Sequence, residues 1–228
     1  VKNESASSPR ATPDADDSLG SRELRLLISL VGGALVVAAL AAGFFARGTK
    51  PEEFFRPDRE RSLGNFTLTD RTGRTVTRAD LRDQYAVVSF VFTSCGTTCL
   101  RVSRQMAAVQ RDLAGAPDVR LVSLTVDPRT DTPAQLSRFA AKFGAETNRW
   151  LFLTGDAATL YPLIETSFLP RATAGEPVAM PGDFLHTERI AVLDRGGDVR
   201  AYFDGLSTNT PAAIIRFLDR LRAENAKP

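Results

Sequence analysis

Apolar positions along the chain follow two different periods. Residues 86–92 (AVVSFVF) and 119–126 (VRLVSLTV) are near-continuous apolar runs rich in β-branched and aromatic side chains. Such runs are expected of strands covered on both faces. Residues 150–153 (WLFL) are a shorter run of the same kind. Between the strands the apolar positions change to a three-to-four spacing. Val102, Met106, Val109 and Leu113 mark a helix over about 98–113, with one face turned to a core. Thr132-Pro133 places a capping side chain before a proline at the first helical position, opening a helix that runs to Phe143 and stops before Gly144. Residues 156–167 read as a further helix, and 211–226 as an amphipathic closing one. Asp70-Arg71-Thr72-Gly73 lies between extended segments 65–69 and 75–77, and Arg195-Gly196-Gly197-Asp198 between 189–194 and 199–203; both read as hairpins. A short helix is expected at 78–83, and a long Pro- and Gly-rich loop at 170–183.

The order is hairpin, three strand–helix units, hairpin, helix. It predicts an α/β domain with a central mixed sheet flanked by helices, in the thioredoxin-like arrangement. The domain is expected over 64–228, after a charged linker at 48–63. Residues 1–23 are polar and read as a disordered tail. Between tail and linker, 24–47 holds an uncharged run at 26–46, bracketed by Arg25 and Arg47, long enough to cross a bilayer as one helix. A cleaved signal peptide is the alternative, with Ala39-Leu40-Ala41 as its cleavage site. The polar segment ahead of the run is long for a signal peptide, and the run continues past that site, so an uncleaved anchor is expected. Flanking arginines and lysine stand on both sides of the span and do not set its orientation.

Composition narrows the chemistry. Apolar residues make up 43% and charged residues 25%, with a net charge of +2. Basic and acidic side chains alternate over a solvated surface, which offers nothing to nucleic acid. With 2 Cys, a disulfide scaffold is excluded. A redox or soft-metal site must draw on those cysteines, on 1 His and on 2 Met.

Cys95 and Cys99 fall where the strand at 86–92 gives way to a helix. Four residues apart, they reach one face of a helical turn. The unpaired first-turn N–H groups and the positive end of the helix dipole favour thiolate there. Such a pair can cycle between dithiol and disulfide, bind a soft metal such as Cu(I) or Zn(II), or act as a peroxidatic and resolving pair. His186 lies just before the strand expected at 189–194, and in a thioredoxin-like sheet that strand starts near the cysteine loop. Two thiolates and one imidazole make a three-coordinate set that suits Cu(I), whereas structural zinc needs a fourth ligand. Met180 is a candidate auxiliary ligand, although a loop methionine more often fills a gap. Asp127 and Asp131 read as turn and capping residues, and Trp150 as core.

Four segments carry a family resemblance: Phe92-Thr93-Ser94-Cys95 through Cys99; Thr125-Val126-Asp127-Pro128 with Asp131-Thr132-Pro133; Trp150 with Phe152-Leu153-Thr154-Gly155; and Phe184-Leu185-His186-Thr187. Over roughly 64–221 the chain resembles the Sco (SCO1/SenC) family of copper-binding cytochrome oxidase assembly proteins. The resemblance implies a thioredoxin-like domain on one N-terminal membrane span, held on the periplasmic or extracytoplasmic side of the cell (inner) membrane. It implies Cys95, Cys99 and His186 as copper ligands. The implied role is a metallochaperone serving the copper-bearing subunit of cytochrome c oxidase, or another copper donor or acceptor. A thiol–disulfide oxidoreductase that reduces the partner's cysteines through Cys95 and Cys99 is the alternative. The chain departs from the family pattern at Gly96 and Leu100, where proline is common, and at Leu185, where an aspartate often precedes the histidine.

Overall fold

The computed structural model describes residues 32, 54–57, 60–168 and 188–226. The expected tail lies outside these residues, as does the apolar span apart from Gly32, and so do Met180, Leu185, His186 and the loop at 170–183. Among the described residues no helix is long and apolar enough to cross a membrane. The folded unit is Glu52–Pro228.

Strands β1 (Thr67–Asp70) and β2 (Thr75–Thr77) form the first hairpin. A single 3-10 turn, Arg78–Leu81, follows where a short helix was expected. Then β3 (Tyr85–Val91), α1 (Thr98–Asp112), β4 (Val119–Thr125), α2 (Pro133–Ala141), β5 (Trp150–Thr154) and α3 (Ala157–Phe168) alternate. Strands β6 (Arg189–Leu193) and β7 (Val199–Asp204) make the second hairpin, and α4 (Thr210–Asn225) closes the domain. All seven strands join one sheet in the order β2-β1-β5-β4-β3-β6-β7. Its centre, β3 with β4 and β4 with β5, is parallel. The two hairpins attach antiparallel on either side, β1 to β5 and β6 to β3.

The apolar run of β3 divides between two cores, as period-two alternation requires. Tyr85, Val87 and Val91 join a cluster with Val102, Met106 and Val109 of α1, Leu136 and Phe139 of α2, and Ile214 and Leu218 of α4. Ala86, Val88 and Phe90 face the other way, into a cluster with Leu160, Leu163 and Ile164 of α3. Each large apolar side chain buried this way contributes about 1.5–3 kcal/mol relative to exposure. Two serines interrupt the first cluster without leaving polar atoms stranded. Ser89 and Ser123 share a hydrogen bond of 2.8 Å, and the Trp150 indole N–H donates to Ser123 Oγ at 2.9 Å.

The domain begins earlier than the charge pattern indicates. Phe54 is buried against Phe203 and Phe217. Phe55 exchanges two backbone hydrogen bonds with Tyr202, and Leu63 N–H donates to the Gly197 carbonyl. The expected linker at 48–63 is therefore corrected at its C-terminal end, which lies along the β7 edge. Its charged side chains mask a backbone that pairs, so composition alone reads it as solvent-exposed.

At its last turn α4 is tied to the base of β4. Arg222 Nε and Nη2 donate to the two Asp118 carboxylate oxygens at 2.9 and 2.8 Å, a bidentate geometry. These hydrogen bonds hold the Asp118 carboxyl below the usual carboxylate range. A pKa lower in the folded than in the unfolded chain makes the pair stabilising at neutral pH; that contribution is lost as pH falls through the folded-state value, below about 4. Thermal melts from pH 7 down to 3 are expected to show a falling midpoint below pH 4. Arg222→Ala is expected to cost about 1 kcal/mol at pH 7 and to make the acid fall shallower. An equally steep fall in the variant would show that this pair does not supply it.

Candidate functional site

The loop between β3 and α1 builds the site. After Val91 the chain turns, with Cys95 N–H donating to the Phe92 carbonyl at 3.1 Å, and the first intrahelical bond is Arg101 N–H to the Thr97 carbonyl. The N–H groups of Thr98, Cys99 and Leu100 thus have no partner within the helix. Thr97 occupies the N-cap but makes no side-chain capping bond. The Cys95 sulfur takes over that role, accepting the Cys99 N–H at 3.4 Å. A cap residue normally offers oxygen there; here the acceptor is a thiol whose ionised form the helix end stabilises. Leu100 keeps a first-turn N–H that a proline would lack and packs on the core. A side-chain carbon at Gly96 would meet nothing within 4 Å, so glycine leaves the loop uncrowded at that departure.

Both cysteines are free thiols, and they are unequal. Cys95 is half-buried. Burial works against its thiolate, but backbone donors from Cys99, Thr97 and Thr98 outweigh it and hold the pKa below the ordinary thiol value. Cys99 is only 6% exposed. Burial pushes its pKa up to about 12, the Cys95 thiol and the Asp131 charge push the same way, and a Phe92 backbone hydrogen bond opposes them. The helix end expected to activate both thiols therefore favours thiolate at Cys95 alone. Iodoacetamide at pH 7 is expected to label Cys95 at least ~10-fold faster than Cys99 in the reduced protein, read by mass spectrometry of the digested chain. Equal labelling would contradict the asymmetry.

Asp131 closes the turn that begins at Asp127, and its side chain is fully buried. One carboxylate oxygen accepts Thr93 N–H at 3.0 Å and Thr93 Oγ1 at 2.6 Å, and the other accepts Thr125 Oγ1 at 2.5 Å. The capping role belongs to Thr132, whose hydroxyl accepts the Gln135 N–H. Asp127 does act in a turn: its carbonyl accepts N–H groups from Thr130 and Asp131. The sequence signal that was available for Asp131 is a pair of threonines at the ends of two buried strands, each carrying a hydroxyl that needs a partner.

His186 lies outside the described residues, so the described part of the expected triad is Cys95 and Cys99. Among the described residues no group of three or more His, Cys, Asp or Glu side chains is placed to hold a metal ion. The chain is described again from Glu188, whose carbonyl accepts the Gly205 N–H at 2.7 Å. A side chain at 205 would strike that carbonyl and stand 3.0 Å from Val102 Cγ2. Glycine at 205 thus fits between the Glu188 carbonyl and Val102 of α1, the residue three past Cys99. A cleft of about 740 Å³ around Asp70, Arg74, Arg120 and Asn148, and one of about 650 Å³ around Arg56, Arg61 and Arg200, are lined by neither cysteine.

A mixed sheet with a parallel centre, helices on both faces and a thiol pair where a central strand enters a helix define a thioredoxin-like domain. The sequence profile of the SCO1/SenC family matches residues 56–221, and the chain belongs to that family. The mitochondrial SCO2 homolog of Bos taurus is 34% identical over 178 residues, covering 74% of this chain and 64% of the relative. The chain spans 47% to 64% of the length of the first curated relatives it matches. Among solved structures, BsSco, a member of the Sco family of cytochrome c oxidase assembly proteins with a disulfide switch, aligns with a TM-score of 0.60. It is 26% identical and covers 73% of this chain and 96% of its own. Copper-bound ScoI of Bradyrhizobium japonicum aligns with a TM-score of 0.54 at 26% identity, covering 68% of this chain and 96% of its own.

Proposed function

We propose that the chain is a membrane-anchored copper chaperone that takes up copper through Cys95, Cys99 and His186. It delivers that copper to the dinuclear centre of a cytochrome c oxidase subunit. The observation that carries this reading is the thiol pair at the N-terminus of α1, with Gly205 fitted between the Glu188 carbonyl and Val102 of the same helix. His186 stands two positions before Glu188, at most about 7 Å away when the chain is extended. Thiolate sulfur with imidazole suits a soft monovalent copper ion. Copper-bound Bradyrhizobium ScoI, and the membership of BsSco in a family of cytochrome c oxidase assembly proteins, support both cargo and recipient. Copper is cargo here. The helix-end amides favour the Cys95 thiolate, and Cys99 must release a proton as the metal arrives, so uptake is expected to strengthen as pH rises. The apolar run at 26–46 supplies the anchor, and the domain lies on the extracytoplasmic face.

The unequal thiols favour a second activity at the same site. The Cys95 thiolate attacks a partner disulfide, forming a mixed disulfide and releasing one partner thiolate. Cys99 then loses its proton and attacks the Cys95 sulfur. That closes a Cys95–Cys99 disulfide, and the partner leaves as a dithiol carrying two electrons from this chain. The disulfide switch of BsSco supports this reading.

Copper analysis and a thiol-exchange assay on the full chain, compared with His186→Ala, separate the two. The chaperone reading expects about one copper per chain, lost in the variant while thiol exchange persists. Copper held as tightly by His186→Ala as by the parent would remove His186 from the ligand set.

A further inference from the structure

With the thiol pair taken as the copper and exchange site proposed above, we propose that Asp131 is its positioning residue. The buried carboxylate joins the end of β4 to Thr93 and thereby holds Cys95 against the first amides of α1.

The geometry is specific. Thr93 is two residues ahead of Cys95 and gives Asp131 both its backbone N–H and its hydroxyl. The N–H also lies 3.2 Å from the second carboxylate oxygen, so it is shared between the two. That second oxygen accepts Thr125 Oγ1, and Thr125 Oγ1 in turn accepts the Asp127 N–H at 3.0 Å. One side chain thus closes a circuit from β4 through its following turn to the loop that carries the reactive sulfur. Cys95 itself makes a 3.1 Å turn bond, and its sulfur lies 3.4 Å from the Cys99 amide. Without Asp131, Thr93 N–H and the hydroxyls of Thr93 and Thr125 would lose their acceptor, and the loop could turn away from the helix end.

The carboxyl is fully buried and every donor on it comes from the two strand ends, so the tie is shielded from competing water. Its hydrogen bonds place Cys95.

Three variants of the full, metal-free chain test this. Asp131→Ala removes the acceptor of the Thr93 and Thr125 donors, Asp131→Asn keeps a carbonyl for Thr93, and Thr93→Val removes one hydrogen bond and leaves the carboxyl in place. Iodoacetamide labelling of Cys95 at pH 7 is expected to slow at least ~3-fold in Thr93→Val and in Asp131→Ala, because the sulfur is no longer held at the helix end, and Asp131→Asn is expected to recover part of the parent rate. Thermal melts accompany all three. If the variants lose stability while labelling stays at the parent rate, Asp131 is a structural staple and the proposal fails. If Asp131→Ala does not fold, unchanged Cys95 labelling in Thr93→Val is enough to overturn it. Neither readout uses copper, so the copper reading can fail while this one stands, and the reverse.

Discussion

Cys95→Ser is expected to lower copper affinity by at least ~100-fold and to reduce thiol exchange to background, whereas Cys99→Ser should leave the first exchange step nearly intact. The difference follows from where the structure puts the two sulfurs. Cys95 is the half-exposed thiol whose ionised form the backbone of Cys99, Thr97 and Thr98 supports. Serine at that position has no accessible anionic form near neutral pH and is a poor ligand for soft copper. Cys99 is buried and held protonated, with its pKa pushed up to about 12, so it waits to resolve a mixed disulfide. Cys99→Ser should therefore accumulate a covalent Cys95 adduct with a disulfide partner, visible as a mass increase and reversed by reductant. Loss of copper is expected in both variants, because each removes one sulfur. A Cys95→Ser protein that still formed the adduct would reverse the assigned order of the thiols.

Gly205→Val should have the next largest effect, destabilising the domain by about 3 kcal/mol and weakening copper uptake with it. The first carbon of any side chain at 205 collides with the Glu188 carbonyl and stands 3.0 Å from Val102 Cγ2. The carbonyl is backbone at the start of β6, so it cannot swing aside as a flexible side chain would. Either the hydrogen bond from Gly205 N–H to Glu188 is lost or the strand start moves away from residue 205. Gly115→Ala is the control, since a side chain there meets nothing within 4 Å. Chemical denaturation of the two variants measures the stability difference, and copper titration below the unfolding range measures the functional one. A Gly205→Val protein as stable as the control would mean that the close approach imposes no constraint.

Much of the layout was legible because the signals are local. The AVVSFVF run announces a strand with two apolar faces, and the structure sends alternate residues of β3 into two cores. Thr132 and Pro133 mark a helix start, and Thr132 caps it. The helix ends at Ala141 rather than Phe143, because the chain tightens into turns before Gly144 adopts a positive φ of 61°. What remained hidden depends on distant partners. Nothing near Thr69 or Asp70 announces that β1 lies against β5, 85 residues on for the Thr69–Thr154 pair (154 less 69). Phe54 reads as part of a charged linker until Phe203 and Phe217 are placed beside it. At the candidate site, spacing brought the two sulfurs together correctly. It could not show that one faces the helix amides and the other the core, which is why a shared activation was expected and a division of roles was found. The burial of Asp131 was hidden for the same reason: its donor Thr93 is 38 positions away in the chain.

The hydrogen-bonded trio of Ser89, Ser123 and Trp150 makes the chain its own optical reporter. Trp150 is the single tryptophan, fully buried, with its ring against Phe152. It sits beside Leu121, four residues of strand before Thr125, a span of about 13 Å. Emission from that one indole therefore follows the integrity of the first core. The thiol pair lies at the opposite end of the same strands, so the indole follows the fold at a distance from the site it supports.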